Sequence, residues 1–139
     1  MAVVTKELEV SSKGENDIVD ITGEVRKAVE DSRLRNGIVT VFVPGSTAAV
    51  TTMEFEPGLL EDFPNMMDRV APRGLKYQHE KTWNDGNGRS HVKASLLGPG
   101  ITVPFVGGKP VLGTWQQVVL VELDIRPRRR RLVLQMMGE

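Results

Sequence analysis

Cysteine is absent from the 139 residues, which excludes a disulfide framework, a thiolate nucleophile and a thiolate-bound metal. Aromatic residues are scarce, with two Trp, one Tyr and four Phe, and none interleaves with a basic run to form a platform for stacked bases. No apolar stretch approaches the ~18 residues of a membrane helix, and the segment Met1–Lys6 lacks a basic-then-apolar leader pattern. A cytoplasmic location is the expectation. Charge of one sign is missing too: 18 Lys plus Arg balance 18 Asp plus Glu, so no global field draws the chain to nucleic acid or membrane. Histidine occurs twice, so His79 and His91 are the only side chains that ordinarily titrate near neutrality.

What is present suits one domain over residues 1–139, since chains of this size sit at the mode of domain lengths. Residues 2–10, which end in the alternation Lys6, Glu7, Leu8, Glu9, Val10, predict a first strand, and Ser11 to Asp17 a turn. Ile21, Val25, Ala28 and Val29 share a helical face from about residue 20 to 32, with Asn36-Gly37 as its stop. The β-branched run Ile38 to Val43 predicts a buried strand, broken at Pro44-Gly45-Ser46-Thr47 and resumed over 48–54. Pro57 opens a second helix with Leu59, Leu60, Phe63, Met66 and Met67 as its apolar stripe and a kink or split at Pro64. A third short helix runs from a Ser90 cap to Gly98. Gly107-Gly108 predicts a hairpin between 101–106 and 109–112, and 115–125 is expected to pair with 132–137 around Arg-Pro-Arg. Helices and strands do not alternate regularly. The expected class is α+β, a largely antiparallel or mixed sheet sandwich with two to three helices.

Chemistry concentrates between residues 83 and 122. The run Trp83-Asn84-Asp85-Gly86-Asn87-Gly88-Arg89-Ser90-His91 is polar and glycine-punctuated, a composition that positions side chains more often than it fills a core. His79 and His91, twelve residues apart across it, are candidate acid/base groups. With a carboxylate from Asp85, Glu54 or Glu122 they are also candidate ligands for a divalent metal, Mg or Zn, although the spacing matches no compact metal motif. The run lacks the alternating ligands and terminal glutamate of a calcium-binding helix-loop-helix. Gly45, Ser46 and Thr47 offer backbone N–H groups and two hydroxyls for an anion, or form an ordinary turn. Trp115 is either a ring-stacking residue or a core residue, and Gln116 beside it carries both a donor and an acceptor. Glu122 closes an apolar run, where an unpaired carboxylate is costly, so it requires a partner: a ligand, or one of the arginines near the end of the chain. Arg126, Arg128, Arg129, Arg130 and Arg131 suit a solvated turn, a phosphate clamp centred on Arg128, or a subunit bridge. Nucleic acid is the reading least supported.

The ordered set Gly45 to Val50 with Glu54, Tyr77-Gln78-His79-Glu80, Ser90 to Gly98, Val103-Pro104-Phe105, Gly113-Thr114-Trp115-Gln116-Gln117, Glu122, the arginines before Leu132 and Gly138-Glu139 resembles the YjbQ-like family, also called the secondary thiamine-phosphate synthase family. The likeness runs nearly the full length. It implies a small α+β domain that assembles as a homotrimer with sites near subunit boundaries. It also implies a modest activity that joins a hydroxymethylpyrimidine diphosphate to a thiazole phosphate. His79, His91 and Glu122 fall on polar positions of the family motif, with Trp115 and Gln116 alongside. Many members carry histidine where this chain has Gly45, which weakens a three-histidine metal site here and favours an anion on the turn. The expectation is an enzyme acting on a phosphorylated heterocycle, or a non-enzymatic trimer that binds a small phosphorylated metabolite.

Overall fold

The computed structural model describes residues 1–139. Eight strands and four helices follow one another as β1 (Ala2–Ser11), β2 (Ile18–Asp20), α1 (Thr22–Ser32), β3 (Gly37–Phe42), β4 (Ala48–Met53), α2 (Pro57–Val70), α3 (His79–Trp83), α4 (Gly88–Leu97), β5 (Gly100–Val106), β6 (Lys109–Pro110), β7 (Gln117–Glu122) and β8 (Arg129–Gly138). A five-stranded sheet has the order β1-β8-β3-β5-β6 and a three-stranded sheet the order β2-β7-β4. Every pairing is antiparallel. The α+β sandwich expected from the sequence is the architecture observed.

The main core lies between the sheets. Val39 and Val41 of β3, Leu132, Leu134 and Met136 of β8, and Phe105 of β5 meet Val118 and Leu120 of β7 and the α1 stripe of Val25, Ala28 and Val29. A second cluster covers the far face of the small sheet, where Ala49, Val119 and Val121 pack against Ala94 of α4, with Leu60 and Phe63 of α2 alongside. β7 is therefore apolar on both faces, which explains its unbroken hydrophobic run.

The expected pairing of 115–125 with 132–137 does not form. β7 lies between β2 and β4 in the small sheet, and β8 between β1 and β3 in the large one, so the intervening residues cross from one layer to the other. β2 and α3 are additions to the sequence reading: a three-residue strand and a five-residue helix carry too little periodicity to register. α1 stops at Ser32 with left-handed Arg33 (φ 62°) as its cap, before Asn36-Gly37. Pro64 sits inside α2, which remains one helix, and Met66 points outward while Met67 is buried. α4 begins two residues before Ser90, so Ser90 is inside the helix instead of capping it. β6 ends at Pro110; the Val111 N–H still donates to the Pro104 carbonyl at 2.8 Å, but Pro104 has no N–H to return the bond.

Candidate functional site

The turn after β3 is built on Gly45. Its φ of +125° is one that side chains rarely adopt, and a Cβ there would stand 3.2 Å from Arg130 Nη1. Thr47, buried at the start of β4, accepts from Arg130 Nη2 on both its hydroxyl (2.8 Å) and its carbonyl (3.2 Å), and its hydroxyl donates to Asp124 Oδ2 at 3.2 Å. Arg130 also donates through Nε and Nη2 to Glu122 at 2.9 and 2.5 Å. Ser12 Oγ and the Asp124 N–H complete the Glu122 shell at 2.8 and 3.1 Å. The carboxylate that ends the apolar run of β7 thus has an arginine as its partner. Removing both charges from water is tolerable because the pair is bidentate and every remaining lone pair is served. Arg130 Nη1 makes no hydrogen bond and lies beneath the Gly45 turn.

Asp124 follows two residues after Glu122 and is equally buried. Burial alone would raise its carboxyl, but the Ile125 N–H at 2.8 Å and the Arg128 guanidinium outweigh that and hold it below the ordinary carboxylate value. Arg128, expected as a phosphate clamp, is engaged with Asp124 in this way.

The two histidines, held by α3 and α4, meet with ring centroids 4.3 Å apart and planes tilted by 32°. Gly88 at the start of α4 allows this approach: a Cβ there would come within 2.5 Å of Tyr77 Cβ and 2.8 Å of Glu80 Oε1. Its N–H instead donates to Glu80 Oε1 at 2.7 Å. His79 Nδ1 is buried without a hydrogen-bond partner and faces Glu80 Oε1 at 3.5 Å and Asp85 Oδ1 at 3.4 Å. The Asn87 amide stands between Asp85 and Asp124. Turned toward Asp85, its NH₂ donates at 2.7 and 3.2 Å, better geometry than the 3.4 Å contact to Asp124 in the other orientation. In that orientation Asn87 belongs to the histidine cluster and gives up its bond to Asp124.

An orphaned imidazole nitrogen facing two carboxylate oxygens fits a divalent cation. The donors that converge within 4.8 Å are His79, Glu80 and Asp85, a mixed nitrogen and oxygen set. His91, expected as the second ligand, is not among them, because the imidazoles meet ring to ring. Asp85 is thus the carboxylate that joins His79, while Glu54 is exposed beyond the end of β4.

A second charged group anchors α4 from behind. Arg89 Nε and Nη2 donate to Glu15 at 2.7 and 3.0 Å, and the fully buried Lys93 donates to Asp68 at 3.0 Å. Burial pushes the Glu15 carboxyl up, but Arg89 first, then Arg73 and Lys93, bring it below its ordinary value. The Ser90 hydroxyl, fully buried beside this group, has no partner.

Trp115 and Gln116 are not brought to this site within one chain. Trp115 is 72% exposed, and Gln116 donates to Thr52 at 3.2 Å. They precede Gln117, which pairs with Met53, whereas Glu122 pairs with Ala48 at the other end of the strand, about 17 Å away at the usual strand rise. Sequence reasoning overlooked Glu80, Asn87, Asp124 and Ser12 as site residues. The signal for Asp124 was a second acid beside an apolar run.

The family model described as UPF0047 protein YjbQ-like matches residues 6–139. The chain belongs to the YjbQ-like UPF0047 family. Among its relatives, a UPF0047 protein of Archaeoglobus fulgidus is 40% identical over 128 residues, 92% of this chain and 97% of its own. One from Methanothermobacter thermautotrophicus is 39% identical over 139 residues, 100% of this chain and 95% of the relative. The crystal structure of a YbjQ-like protein of unknown function from Sulfolobus solfataricus P2 superposes with a TM-score of 0.92 at 35% identity, covering 99% of both chains. A hypothetical protein from Aeropyrum pernix K1 gives 0.89 at 33% identity over 98% of this chain and 99% of that one. The UPF0047 fold is thereby established for this chain, and the family is one of unknown function.

Proposed function

We propose that this UPF0047 protein is an enzyme acting on a phosphorylated heterocycle, by the coupling that the family resemblance implies. In that reaction a carbon–nitrogen bond forms between the methylene carbon of a pyrimidine diphosphate and the ring nitrogen of a thiazole phosphate. The carbon–oxygen bond to the diphosphate breaks, and its electron pair departs with pyrophosphate. The chemical need is a set of donors aimed at the charge developing on that leaving group. The observation that carries the reading is the orphaned His79 Nδ1 facing Glu80 and Asp85, together with the unpaired Nη1 of Arg130 beneath the glycine turn. Arg130 Nη1 and the N–H groups of Gly45 and Ser46 suit the pyrophosphate oxygens. His91 would donate a proton to the departing pyrophosphate oxygen, its ring held against His79. A divalent cation on His79, Glu80 and Asp85 would supply further positive charge at the leaving group.

The test is product formation from both thiamine precursors. Wild type is expected to turn over and His91→Ala to lose at least about 100-fold, the usual worth of a proton-transfer residue. Equal turnover by the two, or none from either, counts against the proposal. One observation favours a second reading, a binding protein without turnover. Glu122, Asp124 and Thr47 are already satisfied by neighbours, an arrangement better suited to holding an anion than to moving protons. Thermal stabilisation by a phosphorylated ligand without product would favour it.

The proposal includes a homotrimer. Its support is the outer face of the large sheet, where the register aligns Val3, Met137, Ile38 and Pro104 in one exposed apolar row across four strands. The adjoining row, Thr5, Gln135, Thr40 and Thr102, carries no charge. Two neighbouring rows without charge suit burial against another copy. Such assembly would also offer the exposed Trp115 a second chain's site.

A further inference from the structure

The structure assigns a second anion site, for a polyphosphate-bearing small molecule, to a cleft between the end of α1 and the β5–β6 turn. The cleft has a volume of about 800 Å³, within the range of small-molecule pockets, and its wall includes Arg26, Arg33, Arg35 and Lys109 against the single acid Glu30. None of the four cations takes part in a side-chain hydrogen bond or ion pair; the salt bridge of α1 joins Lys27 to Asp31 instead. In a chain whose formal charges cancel, four unpaired cations round one hollow repel each other, and that cost is relieved by an anion. Three of them are guanidinium groups, whose planar forks fit phosphate oxygens two at a time.

The floor is the turn Gly107-Gly108, with φ of 61° and 79°, so backbone without side chains faces the cleft, and Arg35 Nη1 lies 3.8 Å from where a Gly108 Cβ would be. The carbonyls ending α1 oppose an anion with about half a charge, which the four cations outweigh. No aromatic side chain lines the hollow, whose apolar side chains are Leu34 and Pro110, so neither a heterocycle nor a run of bases finds a stacking surface. Charge is what the cleft can recognise. Arg35 precedes β3 and Gly45 follows it, so the cleft and the Gly45 turn stand at opposite ends of that strand. The inference is independent of the reaction proposed above.

Titration with inorganic tripolyphosphate at low ionic strength, followed through the backbone amide resonances, tests it. Saturable shifts are expected at Gly107, Gly108, Arg33 and Arg35. The double variant Arg33→Ala/Arg35→Ala should weaken them at least about tenfold, the loss of two charge-assisted contacts. Arg126→Ala/Arg129→Ala, an exposed pair elsewhere, should leave them unchanged. Because all four side chains are exposed, an unaltered unfolding midpoint verifies that each variant folds. Absent shifts, shifts spread evenly over basic surfaces, equal weakening in both double variants, or tighter binding of a single-stranded RNA to the same residues would each overturn the proposal.

Discussion

Arg130 is where stability and function meet at the scale of a single residue. Its Nε and Nη2 hold the buried Glu122, while its Nη1 remains free under the Gly45 turn. Arg130→Ala strands a carboxylate with no counter-charge, so urea unfolding should show a loss of about 3–5 kcal/mol. Glu122→Gln, which keeps the shape and some hydrogen bonds, should cost less. Asp124 gives a pH signature. Its folded-state value lies below the ordinary one, so its contribution is complete above the unfolded value of about 4 and disappears as pH falls through the folded value. Asp124→Asn should therefore be less stable than wild type at neutral pH, with the gap closing in acid. A gap that stays constant down to the acid transition would argue against this role. The need for a partner at Glu122 was readable from its apolar neighbours. Which arginine would serve was not, because adjacent arginines on a strand face opposite sides, and only the pairing of β8 decides that Arg130 turns inward and Arg131 outward.

At the scale of elements, the site depends on two short helices meeting through a glycine. Gly88→Ala would force Tyr77 and Glu80 away from α4, since its Cβ would come within 3 Å of both. With only two histidines in the chain, imidazole proton resonances give a clean readout. They should move in this variant while overpacking costs about 1–3 kcal/mol in stability. Unchanged resonances would mean that the helix contact does not set the histidine geometry. The long elements were legible from periodicity: β1, α1, β3, β4 and the hairpin at Gly107-Gly108 lie where the pattern of apolar residues or the turn chemistry puts them. α3 was not, because a helix of five residues with no buried side chain presents no periodic apolar face. Nor was the partition of β7 and β8 into separate sheets. Local pattern says that a segment is extended and which face is apolar, but not which distant strand it joins.

For the whole molecule, the outer face of the large sheet sets the expected assembly. Ile38 lies in the middle of the apolar row, so Ile38→Glu should convert a trimer to monomers in sedimentation without disturbing the inner core, which Ile38 does not enter. A wild-type chain that sediments as a monomer at high concentration would remove the proposal. The apolar row could not be read from sequence, since Val3, Ile38, Pro104 and Met137 are far apart in the chain and align only through strand register.

Glu122 belongs to the small sheet and Arg130 to the large one, and Ser12 and Thr47 close the same knot from the ends of β1 and β4. The fastening that keeps the two layers together is thus also the floor on which an anion would rest. Parting the layers and dismantling that floor are one event, so an anion bound at the Gly45 turn would act as a rivet, favouring the closed sandwich over the opened one.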